Sequence, residues 1–215
     1  MRIEVDSRYV EPRKVQRALQ ALEGGGLIAF AYQGSYALAA DLESKNALER
    51  LRREESEVQG KGREGEWKLM AANLSRLGQL AILDDATYRS LRPLVPSAHW
   101  FRLPQRRELS RRLRSEQSTA LFALPEEAMA SALLEQFGRE IAVWPAQAKG
   151  EAIWDGEELA ARFPRVEVVL DAGALEPAPA SILSFDAEEF QWVESVAEDE
   201  GVESAEPTGR GKKRR

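Results

Sequence analysis

The stretch GGGLIAFAYQGSYALAA, residues 24–40, decides the fold of this chain. Its two apolar runs, at residues 27–31 and 36–40, have the length and composition of buried strands. The residues between the runs form a turn signal: Gln33, Gly34 and Ser35. The triple glycine before the first run ends a helix. It is not a phosphate loop, because no Gly-Lys-(Ser/Thr) follows it. The stretch therefore predicts a helix end followed by a pair of buried strands.

Helical and strand patterns alternate along the rest of the chain. A helix that begins near Pro12 precedes the glycines, and a second helix is predicted for residues 45–54. Residues 57–66, EVQGKGREGE, are polar with three glycines and predict a mobile loop. Further strands are predicted at residues 67–72, 98–103, 118–124, 140–144, 166–173, 181–185 and 190–195, with helices between them, one opened by Pro125. This order predicts an α/β fold with a mixed sheet, because several strands follow one another directly.

Length and composition indicate one main domain, residues 1–196, followed by a tail. The chain has 215 residues and is 43% hydrophobic, which is enough for a substantial core. Residues 197–215 are acidic first and end in GRGKKRR, so we expect them to be disordered. The basic end is either a contact for RNA phosphates or part of a solubilising tail whose acidic half pairs with it, and the second interpretation is favoured.

Charge and residue usage exclude several classes of function. The formal net charge of −6 gives no general attraction to nucleic acid or anionic membranes, so such a partner requires a local basic patch. The absence of cysteine excludes disulfides and thiolate chemistry, and no apolar run is long enough to span a bilayer. His99 is the only histidine and Asp84 reads as a helix cap, so we expect no metal site. A cytoplasmic protein without a membrane partner is expected.

Three segments resemble the YrdC/YciO family, the threonylcarbamoyl-AMP synthases and their relatives. They are GGGLIAFAYQGSYALAADLESKNALERLRRE at residues 24–54, LLEQFGREIAVW at 133–144 and EPAPASILSFDAEEFQWVES at 176–195. The resemblance implies a YrdC-like twisted open mixed sheet with flanking helices around a concave, positively lined cavity. It also implies condensation of threonine, bicarbonate and ATP, with Mg²⁺, to threonylcarbamoyl-AMP, a step towards the threonylcarbamoyladenosine modification of tRNA.

The polar groups that the family uses are altered at two positions near the start of the chain. The family turn Pro-Thr-Asp-(Thr/Ser)-Gly-Tyr becomes AYQGSY at residues 31–36, where Ser35 offers a displaced hydroxyl. At the family's Lys-x-Arg pair stand Arg53, Glu54 and Glu55. One cation is therefore kept, and the other is replaced by a carboxylate that would repel phosphate.

Later positions of the family pattern are altered as well. Residues 143–145 are apolar where the family has Ser-x-Asn, and Glu194 stands near an expected arginine, whereas Ser181 matches a retained hydroxyl. Cations that could replace the lost one as phosphate ligands lie on or beside the glycine-rich loop: Lys61, Arg63 and Lys68. A shifted match would give the role to Arg52 or Lys61.

A basic segment, RLPQRRELSRRLR at residues 102–114, is a candidate RNA contact. On a helix from Gln105, the spacing places Arg107, Arg111 and Arg114 on one face, with Arg112 beside it. The alternative is an ordinary solvated helix whose Leu109 and Leu113 face the core. The two interpretations are compatible, since the arginines point outward in both.

Three hypotheses for function follow. The preferred one is an RNA- or nucleotide-binding relative of the family, with double-stranded RNA or tRNA as a partner and without full catalytic activity. The second is an active synthase with a rearranged site, which would use ATP and Mg²⁺; otherwise no cofactor is expected. The third is a degenerate domain that acts through protein contacts.

Overall fold

The computed structural model describes residues 1–6, 8–62, 65–148, 150–176, 178, 181–186 and 189–195. The helices are α1 (Pro12–Glu23), α2 (Lys45–Gln59), α3 (Leu74–Leu80), α4 (Asp85–Leu91), α5 (Arg107–Leu113), α6 (Ala128–Phe137) and α7 (Gly156–Arg162). The strands are β1 (Arg2–Glu4), β2 (Leu27–Tyr32), β3 (Ser35–Asp41), β4 (Lys68–Met70), β5 (His99–Pro104), β6 (Thr119–Ala123), β7 (Ile141–Pro145), β8 (Gln147–Ala148), β9 (Glu151–Ala152), β10 (Val168–Asp171), β11 (Ser181–Asp186) and β12 (Glu189–Ser195).

One mixed sheet of ten strands organises the molecule, in the order β1-β10-β2-β3-β7-β4-β6-β5-β11-β12. β1, β10 and β2 run parallel, and so do the pairs β4/β6 and β5/β11. The other neighbours are antiparallel. Strands β8 and β9 form a separate small hairpin. The mixed α/β sheet with flanking helices confirms the predicted fold class.

Helices cover both faces of this sheet. α1 and α6 pack on one face, and α2, α3, α4, α5 and α7 contribute apolar side chains to the core of the other. The α1/α6 face is concave: the rings of Tyr32 in β2 and Trp100 in β5 lie 5.8 Å apart between centroids. Four strands separate β2 from β5 in the sheet order, so this contact requires strong twist and curvature.

Residues 24–40 form the helix end and the pair of buried strands that the sequence predicts. α1 ends before the glycines, with Gly25 at φ 73°, and β2 pairs with β3 across a turn at Gln33 (φ 50°) and Gly34 (φ 69°). Every residue of β2 is buried, which explains its unbroken apolar character. The predicted cap is also confirmed: Asp84 accepts a hydrogen bond from the Thr87 amide.

Several boundaries differ from the predictions. α2 continues to Gln59, so the first three residues of the predicted loop are helical, because Glu54 and Glu55 are buried in ion pairs rather than exposed to solvent. α6 begins at Ala128 and not at Pro125. β1 and the β8/β9 hairpin were not predicted, since their two or three residues carry no periodic signal. The predicted tail, residues 197–215, lies outside the described residues. Within the described part, no helix has the length and apolar character needed to cross a membrane.

A buried polar network joins α7 and the end of β10 to the β2/β3 hairpin. The Tyr36 hydroxyl donates to an Asp171 carboxylate oxygen at 2.9 Å and accepts from the Ala172 amide at 2.9 Å. Gly156, the first residue of α7, lies against this pair: a Cβ there would overlap the Asp171 carboxylate and stand 3.0 Å from the Tyr36 hydroxyl. The glycine is therefore required for close approach rather than for backbone freedom.

We predict that Gly156→Ala lowers the free energy of unfolding by about 2 kcal/mol, the usual cost of overpacking a buried site. Gly78→Ala is the matched control, because Gly78 lies in α3 and a Cβ there would have Leu83 Cδ1 as its nearest neighbour, at 4.0 Å. That control should be neutral or stabilising. Urea unfolding of both variants checks this, and equal midpoints for the two would contradict the packing argument.

Candidate functional site

The β2/β3 turn faces the start of β5 across the concave side of the sheet. The Gln33 side chain donates to the carbonyl of Ala98 and accepts from Trp100 Nε1 at 2.9 Å. The backbone amide of Gln33 donates to Glu127 Oε1 at 3.0 Å. Within the part of the chain that the structure describes, Ser35 Oγ donates to the Tyr32 carbonyl at 3.4 Å. The polar groups of Gln33 are therefore engaged by the protein itself.

The carboxylates in α2 have structural partners. Glu54 binds Arg165 through two hydrogen bonds, of 2.6 and 3.1 Å, and Glu55 forms an ion pair with Arg52 at 2.5 Å. Glu55 also accepts from the Gly65 amide at 2.8 Å and so holds the end of the loop. From the sequence alone, Glu55 is expected to be a charge that would repel phosphate. The structure corrects this, because the buried carboxylate is compensated by the Arg52 guanidinium and by the hydrogen bond from the Gly65 amide.

The candidate phosphate ligands do not converge. Arg53 is exposed on α2 and Lys61 is exposed on the loop, whereas Arg63 lies outside the described residues. Ser181 is buried at the start of β11, where it pairs with His99. Side chains alternate along a strand, so Ser181 faces the side opposite to its neighbour Ile182, which belongs to the concave core.

Lys68 is the one candidate in this group that lies among other charged groups on the concave face. Together with Glu66, Arg102 and Thr119, Lys68 forms a group here called the concave cluster. Glu66 accepts from Arg102 Nε at 2.9 Å and from Thr119 Oγ1 at 2.6 Å. Burial lowers the pKa of the Lys68 ammonium, while the carboxylates of Glu55 and Glu66 oppose that effect.

The cluster suits an anion better than a metal ion. Arginines occupy the carboxylates of both Glu55 and Glu66, so neither is left as a free ligand for Mg²⁺. Val143 stands beside Lys68 in the sheet register, in place of a hydroxyl. Among the described residues, no group of three or more acidic or histidine side chains could hold a metal ion.

The basic segment forms a short helix with exposed arginines. Leu109 and Leu113 are buried, as predicted, and Arg107, Arg111 and Arg112 are exposed. The helix begins at Arg107 and not at Gln105, which is buried. Arg114 was wrongly placed on the helical face: it adopts a left-handed conformation (φ 51°, ψ 39°) and turns towards α2, where it pairs with Glu49 at 3.1 Å.

Between α2 and the end of α5 lies a cavity of about 480 Å³, here called the arginine groove. Its lining residues are Lys45, Leu48, Glu49, Arg52, Gly65, Trp67, Arg112, Leu113, Arg114, Ser115, Glu116 and Gln117. Four cations and two carboxylates contribute, so the lining carries a positive formal charge. Inside the groove the Arg52 guanidinium lies 3.7 Å from the centroid of the Trp67 ring. The Arg52–Trp67 stack was not predicted, because the two residues are fifteen positions apart.

A strongly curved mixed sheet with helices on both faces and cations near the concave face defines this class of α/β domain. Comparison with known proteins identifies its family. Residues 20–194 match the family model Sua5_yciO_yrdC, described as telomere recombination. The chain therefore belongs to the Sua5/YciO/YrdC family, which confirms the resemblance.

Relatives in sequence and in structure agree with this family. The uncharacterized protein YciO of Escherichia coli K12 is 27% identical over 184 residues, covering 81% of this chain and 87% of that protein. The crystal structure of E. coli YciO is similar with a TM-score of 0.78 at 23% identity, covering 93% of this chain and 98% of that one. P. abyssi Sua5 complexed with L-threonine gives a TM-score of 0.74 at 22% identity, covering 86% of this chain and 54% of that one.

We predict that Glu127→Gln raises the midpoint of thermal unfolding at pH 7. Burial raises the pKa of the Glu127 carboxyl, while the hydrogen bond from the Gln33 amide opposes this effect. A carboxyl with a raised folded-state pKa destabilises the protein above its unfolded pKa, and the cost disappears as the pH falls through the raised value. Glutamine keeps an acceptor for Gln33 without the charge.

The advantage of Glu127→Gln should therefore shrink as the pH is lowered from 7 to 4. Glu135→Gln, an exposed position on α6, should change the midpoint little at any pH. Thermal unfolding followed by circular dichroism across this pH range is the measurement. A loss of stability in Glu127→Gln at pH 7 would show that the ionised carboxylate is stabilising.

Proposed function

We propose that this chain is an RNA-binding member of its family that lacks full synthase activity. The observation that carries the proposal is the exposed pair Arg107 and Arg111 on α5. Within the described part of the chain, neither guanidinium forms an ion pair or a hydrogen bond, so both are available to phosphates. They lie four residues apart on one face of the helix, with Arg112 adjacent.

The acidic net charge makes this local patch more informative. With a formal charge of −6, attraction to RNA depends on a region where arginines outnumber carboxylates. α5 supplies three exposed arginines against one acidic residue, Glu108. Phosphate contacts of this kind give affinity without reading the base sequence, so the proposal concerns RNA in general, with double-stranded RNA and tRNA as the forms to test.

The state of the concave face supports the absence of full synthase activity. The groups of the turn that could bind substrate are engaged by the protein: Gln33 binds Ala98, Trp100 and Glu127. Apolar Val143 adjoins Lys68, where a polar contact would help to fix a nucleotide. Transition-state charge in acyl and phosphoryl transfer requires preorganised donors, and few are free here.

We predict that duplex RNA binds with a salt dependence that Arg107→Gln/Arg111→Gln reduces. Each lost phosphate contact should lower the slope of log Kobs against log salt by about 1, so the double variant should lose about 2. The matched control is Arg13→Gln/Arg17→Gln, because these arginines are also exposed and four residues apart, on α1. Fluorescence anisotropy with a labelled 20-base-pair duplex, at several salt concentrations, measures both slopes. Equal slopes for the two double variants, or no binding by the wild type, would contradict the proposal.

Nucleotide binding on the concave face is a second candidate, supported by the cations Lys68 and Arg102. Calorimetric titration of ATP into the wild type and Lys68→Met tests it. Heat that disappears in the variant would support this candidate, whereas no heat in the wild type would exclude it.

A further inference from the structure

We propose that the arginine groove receives one unpaired nucleotide of a bound RNA. The inference rests on the proposed RNA binding, because it assigns the base-binding part of the same surface. The groove adjoins the phosphate-binding arginines directly: Arg111 lies on the outer face of α5, and Arg112 lines the groove. Its volume of about 480 Å³ lies within the range of small-ligand sites, which is about 300–1,000 Å³.

The stack of Arg52 on Trp67 supplies a platform for a base. The Trp67 ring is buried, with 6% of the residue exposed, and the guanidinium covers it at 3.7 Å from the ring centroid. Arg52 keeps 23% of its side chain exposed and is one of the residues that line the groove. A planar cation stacks on bases as aromatic rings do, and such stacking tolerates every base.

The platform is held rigidly before any ligand arrives. Arg52 donates to Glu55 at 2.5 Å and to the Gly65 carbonyl at 3.0 Å. These two bonds together with the Trp67 ring fix the plane of the guanidinium, so little side-chain entropy is lost when a base stacks on it. The stack belongs to the face that carries α2 and α5, and not to the concave face.

The rest of the groove matches the other parts of a nucleotide. Leu48 and Leu113 are buried and give the groove an apolar component. Lys45 and Arg112 are exposed cations on opposite sides, from α2 and α5, suited to the flanking phosphates. Ser115 and Gln117 offer hydrogen-bonding groups for a base edge or a ribose hydroxyl.

Two acidic residues in the lining, Glu49 and Glu116, reduce the positive charge of the groove. Glu49 neutralises Arg114 at 3.1 Å, and Glu116 also lines the groove. Removing the Glu116 charge should therefore strengthen RNA binding here, an effect that general damage to the fold would not produce.

The experiment compares two labelled RNAs with the same base pairs, one a perfect duplex and one in which a strand carries a single additional, bulged 4-thiouridine. We expect the wild-type protein to bind the bulged RNA about tenfold more tightly, since stacking of the unpaired base adds a contact that a paired base cannot make. Ultraviolet crosslinking should attach the thiouridine to peptides containing Arg52 or residues 112–117. Equal affinities, or crosslinks confined to other elements, would overturn the inference.

Variants separate stacking from charge and from folding. Arg52→Lys keeps the charge but loses the planar group, so the preference for the bulge should fall to about onefold. Arg53→Lys, the exposed neighbour on α2, should leave the preference intact. Glu116→Gln should raise affinity for the bulged RNA about twofold, and Lys45→Gln should lower it by a similar factor.

The outcomes distinguish the two proposals. Tight, salt-dependent binding of the perfect duplex without any bulge preference would retain the proposed RNA-binding function and refute the groove. Failure to bind either RNA would refute both. An unchanged preference in Arg52→Lys, in a variant with wild-type circular dichroism, would also contradict the groove.

Discussion

The contact between the β2/β3 turn and β5 is the constraint on which the concave side depends. β2 is buried along its whole length in the sheet. The turn residues that follow it need hydrogen-bond partners for their polar groups, because unpaired polar groups are costly in a buried setting. Gln33 meets this requirement by bonding across the concave side to Ala98 and Trp100, while its amide binds Glu127. The same bonds bring Tyr32 against Trp100 and so stabilise the curvature. Side chains that could have remained open to a substrate are thereby used to hold the sheet.

Charge is redistributed in a similar way around α2. Glu54 and Glu55 are buried, and each is compensated by an arginine, so these carboxylates stabilise local structure instead of repelling a ligand. The Arg52–Glu55 pair fixes the end of the loop at Gly65 and orients Arg52 on Trp67. Exposed cations then remain on α5, on the face of the sheet opposite to α1 and α6. The proposed RNA contacts therefore lie on the surface between α2 and α5 and not on the concave face.

The sequence allows the fold to be predicted because its signals are local. A glycine-ended helix, two apolar runs and a turn each depend on neighbouring residues, and the family segments add the expectation of a twisted open mixed sheet. The site is less predictable, because its contacts join distant positions. Nothing near Gln33 in the sequence indicates Trp100 or Glu127 as partners, and a helical wheel cannot anticipate the left-handed conformation of Arg114. Glu55 has the sign expected of a disruptive substitution, and only its burial beside Arg52 reveals a structural role.

The most direct test of this account is an assay of the purified protein with ATP, threonine, bicarbonate and Mg²⁺. Pyrophosphate release is followed, threonylcarbamoyl-AMP is sought by mass spectrometry, and an active synthase of the family is measured alongside. We expect no product above background while the control is active, because the polar groups of Gln33 are engaged by the protein and Val143 has no polar side chain. Product at a rate comparable to the control would contradict it, and would assign the phosphate-binding role to Lys68 and Arg102 on the concave face.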